Sequence, residues 1–305
     1  YIRLNDGNLV QLGHGARQRR IWTAETDLTG AIAETIASDK DLTKDILKAC
    51  GVPIPEGEAV ASADAAWEAA QGMDGPVVIK PSDGNHGRGV TLDLTEEADI
   101  RAAYELAAKH GSEVLVERCV PGCEHRLLVV GGQVVAAARG ESAWVTGDGH
   151  STVAQLIDSQ INSDPRRGTS EAHPLNRLDI GEDEVVRLDL QRRGLTAESV
   201  VAAGQRVLVQ RNGNVAIDCT DQVHPEVAHH VALAARAVGL DIAGVDLVCE
   251  DIGQPLLAQG GAIVEVNAGP GLLMHLKPAE GQPRPVGQAI RSEEHTPELQ
   301  SRGDI

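Results

Sequence analysis

Apolar positions fall at helical spacing in some stretches of this chain and at strand spacing in others. Leu42, Ile46 and Ala49 share one helix face over residues 39–49, and Gly51 then Pro53 stop it. Ser62 is placed to cap a helix through Ala70 with Ala63, Ala66, Trp67 and Ala70 apolar, and Gly72 ends it. Residues 95–109 predict a third helix, capped by Thr95, with Ile100, Ala103, Tyr104 and Ala107 facing inward. Pro225 opens a helix through Val238 that Gly239 closes. Strands are predicted at 77–79, 90–94, 113–117, 244–249 and 262–266. Two hairpins are predicted: 126–130 with 133–139 around Gly131-Gly132, and 206–210 with 214–219 around Asn212-Gly213. From about 141 to 184 the periodicity lapses, apart from a short helix near 153–160. A loop of that length inside a compact domain is usually functional or disordered.

Residues 52–120 therefore read α-β-β-α-β, a small α+β unit with one glycine-rich loop at its tip. Lys80 ends the first strand, and Gly84-Asn85-His86-Gly87-Arg88-Gly89 leads to the next. Glycine lets backbone N–H groups approach a ligand closely, and successive N–H groups form a concave anion site. Lys80 adds a point charge suited to phosphate. Dinucleotide fingerprints and P-loops run from strand to helix. This loop runs from strand to strand, so a lid over nucleotide phosphates fits it better, and an ordinary glycine hairpin is the bland alternative.

A second constellation lies near the end of the chain. Asp246 interrupts an apolar strand, and Glu265 and Asn267 stand two apart in another, so they share a face. If the strands pair, two carboxylates and an amide oxygen converge. That set suits Mg²⁺, which prefers oxygen ligands. A solvated edge is the plainer reading, but the tight loop Asn267-Ala268-Gly269-Pro270-Gly271 follows directly.

Composition narrows the class. The 305 residues suggest about two domains. There is no Phe, so the core must be Val, Leu, Ile and Ala. No apolar run reaches the ~18 residues of a membrane helix, and no signal peptide is visible. The chain opens without Met in mid-pattern and reads as a piece of a longer protein. Cys50, Cys119, Cys123, Cys219 and Cys249 form no C-x-x-C pair, so reduced thiols in a cytoplasmic setting are expected, acting as small buried hydrophobes. The net charge of −18 argues against nucleic acid and anionic membranes as partners. An anionic substrate would need a local basic patch. The basic run His14 to Arg20 is expected to be a solvated face. Residues 291–305 break the composition abruptly and are expected to be an artefactual tail outside the fold.

Together, Lys80, the glycine loop and the Asp246…Glu265-x-Asn267 set resemble the ATP-grasp superfamily. Within it, His14-Gly15-Ala16-Arg17-Gln18-Arg19-Arg20-Ile21, Ser38-Asp39-Lys40-Asp41-Leu42-Thr43-Lys44, Lys80-Pro81-x-Asp83-Gly84-Asn85-His86-Gly87-Arg88-Gly89-Val90, Asp164-Pro165-Arg166-Arg167-Gly168 and Glu265-Val266-Asn267-x-x-Pro270-Gly271 resemble the cyanophycin synthetase family over residues 1 to about 290. The resemblance implies an α+β ATP-grasp fold, a small lid subdomain over a larger antiparallel-sheet subdomain. It implies these boundaries: 1–37 the end of an N-terminal domain, 38–125 the lid subdomain, 126–290 the large subdomain. A Mur-ligase-like third part would be absent, and no G-x-x-x-x-G-K-[ST] occurs.

The implied activity is an ATP-dependent carboxylate–amine ligase adding aspartate to the C-terminus of a poly-aspartate backbone through an acyl phosphate. Its partners would be aspartate and an acidic peptide polymer, with homo-oligomerisation through domains outside the chain. Lys40 and Lys80 would meet the α/β-phosphates of ATP. Gly84, Asn85, Gly87, Arg88 and Gly89 would close over the γ-phosphate. Glu117 to Val120 would meet adenine, Glu124 the ribose, and Arg211 a phosphate, although the turn at Arg211-Asn212-Gly213-Asn214 is shorter than in the family. Asp246, Glu265 and Asn267 would hold Mg²⁺. Arg126, Arg139 and His86 would face substrate or the acyl-phosphate oxygens. Two alternatives stay open: another ATP-grasp amino-acid ligase, of the glutathione-synthetase or D-alanine–D-alanine-ligase kind, or a catalytically silent ATP-binding fragment.

Overall fold

The computed structural model describes residues 1–293 apart from 84–88, 170–172, 174 and 182. The chain forms two compact units. The first takes Tyr1–Ile54, Val120–Arg139 and Ala216–Ile305, the second Pro55–Cys119 and Gly140–Val215. The chain passes between them four times, after Ile54, after Cys119 and within the two long strands Gln133–Thr146 and Arg206–Asp218.

The first unit is built on an antiparallel sheet in which Cys123–Val130, Ile242–Cys249 and Ala262–Asn267 are neighbours in that order. Gly131 and Gly132, at φ 56° and 75°, make the two-residue turn from Cys123–Val130 into Gln133–Thr146. One sheet face is covered by helices Lys40–Ala49 and Pro225–Val238, whose Leu47, Val231 and Ala235 pack on Leu127, Val129, Val245 and Leu247. The first of these helices starts where the Asp39 carboxylate accepts the Leu42 N–H at 3.0 Å. The second has Pro225 at its first position and Gly239 in the left-handed region after its end. Each valine it buries is worth roughly 1.5–3 kcal/mol. On the other face Leu128, Val130, Ala136 and Ile242 pack with Ala24, Val286 and Ile290. Helix Val286–Glu293 is the last described element.

The second unit holds a four-stranded antiparallel sheet in the order Gly57–Val60, Val114–Arg118, Val77–Pro81, Thr91–Leu94. Helices Ala63–Gly72 and Glu97–Ala107 cover one face, with Ala66, Ala70, Ile100 and Ala103 against Val77, Ile79, Val114 and Val116. A separate core around Val145, Val153, Ile157, Leu190 and Val209 supports residues 140–215. Arg192 ties the two parts of this unit. It donates to Asp99 at 2.8 Å, Asp189 at 3.1 Å and the carbonyls of Leu92 and Asp93 at 3.0 and 2.6 Å.

Four expectations are corrected. Thr95 is no cap: the helix begins at Glu97, and the Thr95 hydroxyl meets the Glu96 carboxylate at 3.4 Å. Asn212-Gly213 is no hairpin turn, because Arg206–Asp218 is one continuous strand alongside Gln133–Thr146. The aperiodic stretch is more structured than expected. Its first residues extend the Gln133–Thr146 strand, and at its end Asp183 caps helix Glu184–Gln191 by accepting the Val185 and Val186 N–H groups. Of the cysteines, Cys219 and Cys249 are buried but Cys50 and Cys123 are exposed.

Candidate active site

The register of the first unit's sheet decides which side chains meet. Asp246 stands opposite Glu265 on one side and opposite Arg126 on the other, and Gly244 stands opposite Asn267. Residues directly opposite in an antiparallel pair share a face. Glu124, Arg126, Asp246, Glu265 and Asn267 therefore project from one face, beyond the apolar patch of Leu128 and Ile242. Asp246 is 2% exposed. Its carboxylate accepts from Arg126 Nε and from Nη2, the latter at 2.6 Å, and from Asn267 Nδ2 at 3.1 Å. Lys40, in the first turn of its helix, reaches Glu265 at 3.4 Å.

The electrostatics follow from this crowding. Burial pushes the Asp246 carboxyl up to about 7, and Glu124 and Glu265 add to the rise while Arg126 opposes it. Burial works against the Arg126 charge, but Asp246 outweighs it and holds the guanidinium above its ordinary value. Three carboxylates on one face against Arg126 and Lys40 leave negative charge that a divalent cation would relieve. The donor set is all oxygen, with the Asn267 amide nitrogen turned to Asp246 and its oxygen available as an acceptor, so the residues fit Mg²⁺.

Other residues of this unit were not singled out by sequence. Lys44 follows Lys40 by one helical turn, and burial pulls its amine down to about 8, Lys40 adding and Asp41 opposing. His275 is 3% exposed and pushed down to about 4 by burial, with the Arg126 charge adding. Gly244 sits where a Cβ would meet Pro270 Cβ at 2.8 Å and Arg126 Cδ at 3.4 Å. A glycine inside an apolar strand, two residues before Asp246, is the sequence signal for that close approach.

Arg139 is placed differently from Arg126. It pairs with His125, so it lies on the opposite, helix-covered face. Val120 is buried, and Glu124 is half-buried in the same strand register as Val248.

In the second unit Lys80 and Glu117 form a buried ion pair at 2.9 Å on neighbouring strands. They share the sheet face opposite the helices. A buried pair costs desolvation of both charges and is weak grounds for stability. Gly89 has φ +71°, and a Cβ there would meet His110 Cδ2 at 3.1 Å and Ala107 Cα at 3.3 Å. The loop therefore re-enters its strand through a position that only glycine fills comfortably. Gly84, Asn85, His86, Gly87 and Arg88 lie outside the described residues. Arg211 lies in the Arg206–Asp218 strand, and its side chain is outside the description. No helix among the described residues is long and apolar enough to cross a membrane.

Comparison with known proteins adds to this geometry. Residues 39–152 match the family model described as carbamoyl-phosphate synthase L chain, ATP binding domain. The chain is 42% identical over 296 residues to the cyanophycin synthetase of Nostoc sp., covering 95% of this chain and 32% of that protein. It is 32% identical to the glutathione biosynthesis bifunctional protein of Clostridium perfringens, over 95% of this chain and 37% of that one. Among solved structures, the bifunctional glutathione synthetase of Pasteurella multocida superposes with TM-score 0.62 at 28% identity, covering 96% of this chain and 41% of the other. The chain thus spans about a third of the length of the curated relatives it matches. It has the ATP-grasp fold and, along the third that it spans, is similar to cyanophycin synthetases.

Proposed function

We propose that this chain carries the aspartate-adding ligase chemistry of a cyanophycin synthetase. In that reaction the terminal carboxylate of an acidic peptide is activated as an acyl phosphate, and the amine of aspartate displaces the phosphate to form the amide. ATP supplies the phosphoryl group, and Mg²⁺ would neutralise charge as it transfers. The observation that carries the reading is the loaded sheet face, where Asp246 is buried, opposed by Glu265 and bridged by Arg126 and Asn267.

The chain's own residues divide the work. Asp246, Glu265 and Asn267 would hold Mg²⁺. Lys40 and Lys80 would take the α/β-phosphates, each beside a carboxylate that orients its amine. Arg126 would steer a substrate carboxylate or the acyl-phosphate oxygens, since its planar fork suits both. His86 and the backbone of Gly84, Asn85, Gly87, Arg88 and Gly89 would close over the γ-phosphate and substrate. Glu117, Val120 and Glu124 would take the nucleoside, and Arg211 a phosphate. Arg139, on the other sheet face, would act on substrate only if the chain at that strand rearranged.

The test is ADP formation with aspartate and a β-aspartyl-arginine primer. Wild type turns over only with aspartate, and Glu265→Ala loses about a hundredfold or more. Equal rates for the two would remove the metal assignment. Similarity to glutathione-forming proteins supports a second reading, a ligase for a different amino acid. Turnover with another amino acid and none with aspartate would favour it.

A further inference from the structure

The sheet of the first unit ends in a pair of thiols that neither the nucleotide nor the metal assignment uses. Cys123 opens the strand Cys123–Val130, Cys249 closes Ile242–Cys249, and the register sets them directly opposite each other. Residues opposite in an antiparallel pair share a face and stand about 4.5 or 5.5 Å apart at Cα. A disulfide spans roughly 4.4–6.8 Å between Cα atoms, so either spacing admits one. The strand ends are pressed together at this point: Gly122 has φ 112°, and a Cβ on it would collide with the Cys249 carbonyl. Nδ1 of His125 lies 2.9 Å from the Cys123 carbonyl oxygen and 3.7 Å from Cys249 Sγ. The two thiols differ in access. Cys249 is fully buried in the helix-covered core, whereas Cys123 is exposed at its rim.

An exposed thiol held against a buried one suits stepwise oxidation. We propose that Cys123 and Cys249 are an oxidation site for hydrogen peroxide that closes a reversible cross-strand disulfide. Cys123 Sγ attacks one peroxide oxygen, the O–O bond breaks, and a sulfenic acid forms with release of water. Cys249 Sγ then displaces the sulfenic hydroxyl, which leaves with the Cys249 proton as a second water. The two thiols together lose the electron pair that the peroxide gains. Burial pushes the Cys249 thiol up to about 12. Since the thiolate is the nucleophile, Cys249 is spared direct attack and reacts with the neighbour fixed beside it. Opposite Cβ atoms stand about 4.5–5.5 Å apart and a disulfide needs roughly 3.5–4.5 Å, so closure draws the strand ends together. A bond closed against that separation is readily reduced. The same two strands carry Arg126 and Asp246, opposite each other further in, and a shift of about 1 Å in a catalytic group can cost a hundredfold in rate. Oxidation thereby misaligns the acidic face and slows turnover. That consequence rests on the ligase reading; the disulfide itself does not.

The test treats the full chain with hydrogen peroxide, alkylates the remaining thiols and maps peptides by mass without reductant. Wild type is expected to give a peptide pair joined through Cys123 and Cys249 that a thiol reductant separates. Linkage of Cys249 to the buried Cys219, linkage between molecules, or Cys123 carried to the sulfinic acid without a partner overturns the site. Aspartate-dependent ADP formation by oxidised wild type should fall about tenfold or more and return with reductant. Cys123→Ser, at an exposed position that demands little of folding, should keep its rate before and after peroxide. An equal loss in that variant places the damage elsewhere and overturns the switch, as does a disulfide that leaves wild-type turnover unchanged. The two ideas fail separately. A linked pair in protein that never turned over supports the site and sinks the ligase reading, and turnover without a linked pair does the reverse.

Discussion

At Gly244 the addition of one methyl group would reach the acidic face directly. The Cβ of Gly244→Ala would lie 2.8 Å from Pro270 Cβ and 3.4 Å from Arg126 Cδ. The first distance forces a shift, and the second presses the guanidinium that bridges Asp246. Overpacking of this kind costs about 1–3 kcal/mol, whereas a catalytic group misplaced by about 1 Å can cost a hundredfold in rate. Gly244→Ala is therefore expected to lose about a hundredfold in aspartate-dependent ADP formation while unfolding cooperatively at slightly lower urea. Near-normal turnover would mean that Arg126 can move without consequence. The same residues show what could be read in advance. Asp246, Glu265 and Asn267 were legible because a strand's period of two fixes their face once the strands pair. The parity of Arg139 was not. A plain two-residue turn would set Arg139 opposite Glu124, on the Arg126 face. An irregularity between Val134 and Ala136 inserts one extra residue, and Arg139 pairs with His125 instead. No composition rule announces that bulge.

Two glycines at helix ends make a paired test. Gly239 follows Pro225–Val238 with φ 92°, and its N–H reaches the carbonyls of Ala235 and Arg236 at 3.0 and 3.1 Å. A Cβ there would make only an ordinary 3.6 Å contact with Ala33 Cβ, so the cost of Gly239→Ala is conformational. The left-handed region costs a non-glycine residue about 1–2 kcal/mol. Gly72, at the end of Ala63–Gly72, has no positive φ and nothing within 4 Å of its would-be Cβ. Gly72→Ala is expected to stabilise by about 0.4–1 kcal/mol through the unfolded chain. Thermal unfolding should move down for the first variant and up for the second, and two shifts of the same sign would refute the distinction. The Asn212-Gly213 signal failed for a related reason. A turn dipeptide is only a local preference, and here a ladder running the length of Arg206–Asp218 overrides it. Helix Glu184–Gln191 went unread because its cap, Asp183, sits in a polar run where no apolar period precedes it.

Across the first unit, acid titrates opposing groups at once. His125 is 2% exposed, and burial pushes it from its ordinary 6.5 down to about 4; the Cys123 carbonyl and Asp251 pull upward and Arg139 downward. His275 is held at about 4 by burial and Arg126, with Asp218 opposing. A histidine kept neutral by folding stabilises fully above 6.5. Between 6.5 and 4 the unfolded chain takes up the proton first, so that stability is lost as pH falls, by up to about 3 kcal/mol for each histidine. Asp246 runs the other way. Its carboxyl, raised to about 7, binds a proton in the folded chain before the unfolded one does, so stability rises as pH falls through 7 toward 4. The total curve is therefore shallow, and the histidine share has to be read as a difference. His125→Gln should be clearly less stable than wild type at pH 7.5, where the buried neutral ring packs against Cys249. By pH 4.5 that gap should narrow by up to about 3 kcal/mol, because only wild type has lost the histidine contribution. Urea unfolding of both proteins at pH 7.5, 6 and 4.5 measures it. A gap that stays constant would place His125 in contact with water in the folded chain, against the packing of the sheet end where Cys123 and Cys249 face each other.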